Sequence, residues 1–166
     1  QAVSLDSDKK DKGDRSMNDA KQKWVLLFLI LLVLLGAFGR AAAQDRRCVT
    51  ARIANIRSGP GTNHDVLWQV EKYHPIIILE TRGNWYRFQD FEGDKAWLHN
   101  SQVGKVDSVD TVEDKCNVRS GPGTDNSIVF KVERGVPFKV LNRSGNWLKV
   151  EHADGDRGWI YKTLVW

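Results

Sequence analysis

Two stretches decide the fold: NIRSGPGTNHD, Asn55–Asp65, and NVRSGPGTDNS, Asn117–Ser127. The agreement is not confined to them. Shifting the chain by 62 lays residues 54–103 on 116–165 without a gap, with 18 identities in the 50 pairs. Shared landmarks run in order from Arg57–Thr62/Arg119–Thr124, through Pro75/Pro137 and Gly83-Asn84-Trp85/Gly145-Asn146-Trp147, to Gly93-Asp94/Gly155-Asp156 and Trp97/Trp159. A self-match at fixed period is an internal repeat and sets the architecture. With two copies it predicts a pair of small domains, since a solenoid needs three or more.

Positions apolar in both copies predict the core: Ile56/Val118, Val66/Ile128, Trp68/Phe130, Val70/Val132, Ile76/Phe138, Ile78/Val140, Tyr86/Leu148, Phe88/Val150 and Leu98/Ile160. Phe138-Lys139-Val140 and Leu148-Lys149-Val150 alternate apolar and charged residues, the pattern of half-buried strands. Ile77, opposite Lys139, is therefore expected to point outward. Turn signals every 8–12 residues argue for an all-β barrel or sandwich. Gly59-Pro60-Gly61-Thr62 fits a type II turn, with Pro60 presetting φ and Gly61 supplying a positive one. Gly59, before proline, is expected to be extended. Asn55 and Asn117 are expected to hydrogen-bond the loop backbone. Glu92-Gly93-Asp94 and Asp154-Gly155-Asp156 read as tight hairpins. Helix is expected for at most a single turn near Asn100–Gln102 and Lys162–Leu164.

The 166-residue chain carries a formal charge of +4. Residues 1–43 hold 7 Lys+Arg and 5 Asp+Glu, leaving 18 and 16 for residues 44–166, a net of +2. That near-balance argues against a nucleic-acid footprint, which requires a basic stripe. Trp24–Phe38, WVLLFLILLVLLGAF, is an apolar run preceded by Lys21 and Lys23 and followed by Ala41-Ala42-Ala43-Gln44. This is the order of a secretory signal peptide, with cleavage expected between Ala43 and Gln44. At 15 residues it spans about 22 Å as a helix, short of the ~30 Å hydrocarbon core. An uncleaved anchor is the alternative. Met17 is the expected start, with residues 1–16 upstream or disordered. The expected domains are 17–43 as signal peptide, 44–104 as the first unit and 105–166 as the second.

The ordered motifs N-x-R-S-G-P-G-T, G-x-W at Gly83/Trp85 and Gly145/Trp147, and D-G-x-x-G-W-I at Asp154–Ile160 resemble the bacterial SH3-like domain family. The resemblance covers about residues 48–103 and 110–166. It implies two small SH3-like barrels in tandem, each of five to six strands, behind the signal helix. It also implies an envelope role, because such modules often accompany cell-wall hydrolases and hold them on peptidoglycan. Copy one departs at Ala96, where the pattern has the glycine seen at Gly158; this puts the close strand approach there in question.

The Arg-Ser-Gly-Pro-Gly-Thr loop lacks the Gly-Lys-Ser/Thr ending of a phosphate-binding loop, and turn geometry alone accounts for its glycines and proline. Its functional reading is one wall of a ligand groove, with Arg57 and Arg119 offering a planar fork to a carboxylate beside Ser58 and Ser120. Trp85, Trp97, Trp147 and Trp159 are core residues or, where an edge is exposed, stacking surfaces. Tyr161, Trp68, Tyr73 and Trp166 are expected at the surface. His64, His74, His99 and His152 have no metal spacing and are expected in solvated loops; neither metal nor cofactor is predicted. Cys48 and Cys116, in an exported chain, invite an inter-domain disulfide, with two free thiols as the alternative. A nucleophilic Cys116 with His152 as base lacks an orienting partner, and the carboxylate pairs Asp154/Asp156 and Glu92/Asp94 flank hairpin glycines. The sequence therefore predicts a non-catalytic, exported, monomeric binding module of the periplasm or envelope. Its expected partner is peptidoglycan, with an adaptor for envelope proteins or a membrane-anchored sensor as alternatives.

Overall fold

The computed structural model describes residues 44–166 as one compact unit. The expected signal segment and the Ala43 side of its cleavage site lie outside the described residues. In the first domain, β1 (Asp45–Val49), β2 (Ile53–Arg57), β3 (Val66–Glu71), β4 (Pro75–Arg82), β5 (Trp85–Gln89), β6 (Lys95–His99) and β7 (Val103–Gly104) form one sheet. Their order is β3-β2-β6-β5-β4-β1-β7. The second contains β8 (Ser108–Asp110), β9 (Cys116–Arg119), β10 (Ile128–Val132), β11 (Pro137–Ser144), β12 (Trp147–Glu151) and β13 (Arg157–Tyr161), ordered β10-β9-β13-β12-β11-β8. The domains are thus all-β, with seven strands against the expected five to six in the first and six in the second. The only helical turns among the described residues are 3-10, at Asn100–Gln102 and Lys162–Leu164, where the sequence put them.

Each sheet curls around its own core. Ile56, Val70, Ile76, Phe88 and Leu98 pack with Val49, Ala54 and Ala96 in the first; Val118, Phe138, Val140, Leu148, Val150 and Ile160 pack with Val109 and Cys116 in the second. Trp68 and Phe130 flank these cores, half-buried, and Ile77 stays outside the first. Val66 and Ile128 were expected inside but lie 47% and 42% exposed. The pairing of each outer strand slips beside them, between Ile56 and Arg57 and between Ile128 and Phe130, so the strict alternation that would bury them is broken.

The tight two-residue hairpins are Gly83-Asn84 and Gly145-Asn146, with both glycines at positive φ (54° and 56°) between Arg82↔Trp85 and Ser144↔Trp147. The Gly93 and Gly155 turns are longer. Asp90 closes the first by accepting from the backbone N–H of Glu92 and Asp94. Asp154 accepts from the Asp156 N–H, a bond that holds the Asp154 carboxyl below its usual value. These carboxylates serve turn chemistry. Gly158 explains the glycine in the D-G-x-x-G-W-I motif: a Cβ there would sit 2.4 Å from Val118 Cγ1 and 2.9 Å from the Arg119 carbonyl oxygen. Ala96 nevertheless keeps the same approach in the first domain, where Arg57 still pairs with Trp97 as Arg119 pairs with Trp159.

The two domains meet over a polar junction. His74 Nδ1 lies 2.7 Å from Asp110 Oδ2, with the two side chains 9% and 0% exposed. The approach is close but poorly aligned, and His74 Nε2 and both Asp110 oxygens lack a well-directed hydrogen bond. Burial pushes the Asp110 carboxyl above its usual range, with His74 opposing the shift. Around this pair Arg134 donates to Glu92 and to the Val112 carbonyl and lies over the Phe91 ring at 5.3 Å. Arg46 lies 4.0 Å over the Trp166 ring. Two expectations are corrected here. His74 is a buried junction residue, not a solvated loop histidine, and Tyr73 is 9% exposed rather than a surface aromatic. Tyr73 also adopts φ 76°, where the second copy has Gly135 at 80°.

The expected Cys48–Cys116 bridge is not formed; both thiols are free and buried. Cys116 belongs to the second core and Cys48 pairs within the first sheet against Pro75 and Gly104. Burial pushes both thiols above their ordinary range, which also removes the basis for a nucleophilic Cys116.

Two outcomes are expected. Titration with a thiol reagent will find no reactive thiol in the native protein and two after unfolding, without reductant. His74→Ala will cost about 1–3 kcal/mol at neutral pH by leaving the buried Asp110 carboxyl without its polar neighbour. Because Asp110 has a raised folded-state value, its contribution to stability is present below the ordinary carboxylate range and lost as pH rises through the folded value. Chemical denaturation of the variant will therefore show its deficit shrinking on acidification.

Candidate functional site

The repeated loop is pinned by its own arginine. Arg57 Nη1 donates to the carbonyls of Thr62 (3.2 Å) and His64 (2.7 Å), and Arg119 Nη1 to those of Thr124 (2.9 Å) and Asn126 (2.7 Å). Arg57 and Arg119 end β2 and β9, so each rigid strand holds the loop that follows it. The expected type II turn is not formed: Gly61 does not take a positive φ. The glycine before proline is required for space instead, because a Cβ on Gly59 would sit 2.5 Å from the His64 ring and one on Gly121 2.5 Å from Asn126 Oδ1. Nor do the paired asparagines hold the loop. Asn55 Oδ1 accepts from Gln69 Nε2 of the neighbouring strand. Loop closure falls to the arginines, whose charged N–H groups make the stronger bonds.

Opposite each pinned loop stands a tryptophan. Trp85 meets the His99 ring edge-to-face at 5.2 Å, and Trp147 meets Tyr161 at 5.3 Å. These positions face each other across β5–β6 and β12–β13. His99 Nδ1 lies 2.7 Å from Ser101 Oγ, and Asn146 Nδ2 donates to the Tyr161 hydroxyl at 3.2 Å. Loop and rings enclose a groove in each domain. The first, about 190 Å³, is lined by Asn55, Arg57, Thr62, Trp85, His99, Ser101 and Gln102. The second, about 550 Å³, is lined by Asn117, Arg119, Gly123, Thr124, Asp125, Trp147, Tyr161 and Leu164. Under the 62-residue shift the Asn, Arg, Thr and Trp of one groove fall on those of the other.

Of the residues singled out from sequence, Arg57 and Trp85 thus meet in one groove, and Arg119, Trp147 and Tyr161 in the other. Trp97 and Trp159 line neither; each pairs in register with the groove arginine, on the strand face away from the core residues Leu98 and Ile160. Trp97 is covered there by the Arg82 guanidinium at 5.3 Å. Ser58 and Ser120 lie outside the linings; Ser120 Oγ is 3.1 Å from Ser127 Oγ. Sequence reasoning missed Thr62/Thr124 as lining, although they end the shared motif. It also missed His99, Gln102, Asp125 and Leu164, because these differ between copies and an identity match discards them. No cluster of metal-ligating side chains exists among the described residues.

Family comparison agrees with this geometry. Residues 53–104 and 112–166 each match a bacterial SH3 domain model. These are two bacterial SH3 domains in tandem. YrvJ of Bacillus subtilis, a candidate N-acetylmuramoyl-L-alanine amidase, is 27% identical over 87% of this chain and 30% of its own. LytH of Staphylococcus epidermidis, a probable cell wall amidase, is 33% identical over 38% of this chain and 21% of its own. The chain thus spans less than a third of the length of these curated relatives. An NlpC/P60 family protein from Bacillus cereus aligns over 74% of this chain and 56% of its own, at 10% identity and a TM-score of 0.37.

The arginine pin is testable. Arg119→Ala is expected to lower stability by about 1–2 kcal/mol through two lost hydrogen bonds. It is also expected to raise hydrogen exchange across residues 120–127 above the level of the matching loop at 58–65, which keeps its own arginine.

Proposed function

We propose that the chain is a non-catalytic, exported module that binds peptidoglycan, with the groove beside each pinned loop receiving cell-wall peptide. The observation that carries the reading is the recurrence of one groove geometry in both domains: an arginine-fixed loop facing an edge-to-face aromatic pair. Turn chemistry requires Arg57 and Arg119 but has no use for a half-exposed tryptophan opposite them. The bacterial SH3 family and the amidase names of the two curated relatives support a cell-wall setting. Two weak grooves on one compact unit gain avidity on a polymeric ligand that reaches both.

A second reading has its own support. Val66/Ile128, Leu67/Val129 and Leu79/Leu141 are apolar and exposed in both copies, and the first two pairs lie on the outermost strands β3 and β10. Such edges accept an extended segment of a protein partner, which fits an envelope adaptor.

The full chain is expected to co-sediment with purified sacculi at low and moderate salt, and Trp147→Ala to reduce the pelleted fraction severalfold while circular dichroism stays native. No pelleting above an inert control protein removes peptidoglycan as the ligand. Capture of one stoichiometric envelope protein in its place selects the adaptor.

A further inference from the structure

The two grooves share their frame but not their chemistry. The first measures about 190 Å³ and the second about 550 Å³. Where the first places His99 and Gln102, the second places Tyr161 and Leu164, so Leu164 and the Trp147–Tyr161 pair give it a more apolar lining. Its front edge gains a charge: Asp125 lines the second groove, and the matching residue of the first copy is the neutral Asn63. Asp125 is exposed and takes part in none of the ion pairs among the described residues. Arg119 holds the loop through Nη1 alone, leaving Nε and Nη2 without a hydrogen-bond partner among the described residues. The second groove therefore offers an uncommitted carboxylate and a partly uncommitted guanidinium on one lip, over an aromatic and aliphatic floor.

Resting on the peptide-groove reading above, we propose that the second groove is the specificity site of the tandem, and that it takes a short peptide bearing both an ammonium and a carboxylate. Asp125 receives the ammonium and the free N–H groups of Arg119 receive the carboxylate, while the peptide's aliphatic stem lies against Trp147 and Leu164. The first groove lacks the acidic partner and most of the volume, and it adds contact without selecting this charge pattern. Asp125 makes no hydrogen bond or ion pair that folding uses, so its substitution tests recognition without disturbing the loop.

The test uses the full chain and the tripeptide Ala-Glu-Lys with its N-terminus capped, its lysine amine free and its C-terminus free, against the same capped peptide acetylated on the lysine Nε. Calorimetry is expected to show the acetylated form binding about fivefold more weakly to the native protein. Asp125→Asn is expected to weaken the free-amine peptide by a similar factor and to leave the acetylated one unchanged. The Trp147 indole N–H resonance is expected to move at lower peptide concentration than that of Trp85. Absence of tripeptide binding, equal affinity for both peptides, indifference to Asp125→Asn, or a Trp85 resonance that moves first each overturns the proposal. Sedimentation with sacculi, run alongside, separates the two readings. Sacculus binding without charge discrimination sinks only the specificity assignment, and charge-selective tripeptide binding without sacculus binding sinks only the cell-wall reading.

Discussion

The constraint on which the grooves depend is a pair of hydrogen bonds from one guanidinium nitrogen to two loop carbonyls, made identically by Arg57 and Arg119. An eight-residue surface loop rich in glycine has high conformational entropy and little apolar area to offset it. Anchoring its far side to the last residue of a core strand removes most of that freedom for one side chain. The tryptophans opposite are fixed differently, by a two-residue glycine–asparagine hairpin that starts their strand and by an edge-to-face ring across the next one. Each groove is thus bounded by two walls held by independent devices, and both devices hang from the same sheet.

This separation explains how the copies diverge without losing their form. The anchoring atoms, the hairpins and the opposing tryptophan recur, whereas the groove's rear and lip do not. His99 against Tyr161, Gln102 against Leu164 and Asn63 against Asp125 change polarity, volume and charge at positions that carry no loop-holding bond. Recognition can vary there at little cost in stability, since these side chains are half-buried or exposed.

Much of this was legible in the sequence. The self-match located the core strands and the Arg57/Arg119 and Trp85/Trp147 positions that line the two grooves, because a repeat reports on whatever both copies need, but the tight hairpins were expected at Gly93 and Gly155 and formed at Gly83-Asn84 and Gly145-Asn146. It misassigned roles inside the motif. The asparagine was read as the loop's anchor and the arginine only as a ligand residue, so the arginine's structural half was missed: short amides are common in turns, and the reach of an arginine back onto its own loop leaves no trace in spacing. Features that occur once were less visible still. His74 and Asp110 read as ordinary polar residues near turns, and only the packing of one domain against the other takes them out of water. Val66 and Ile128 were misplaced for a related reason: alternation predicts a face only while pairing stays in register, and it slips beside both.

The His74–Asp110 contact gives the tandem a direction. Under the repeat shift the partner of His74 is Val136 and that of Asp110 is Cys48, so the polar contact needs the leading copy's imidazole and the trailing copy's carboxyl. A gene with its halves transposed would bring valine to cysteine at the new seam and leave the imidazole and the carboxyl without each other. The duplication has in this way become irreversible: two modules of common pattern are no longer interchangeable parts, and their succession is written into the seam itself.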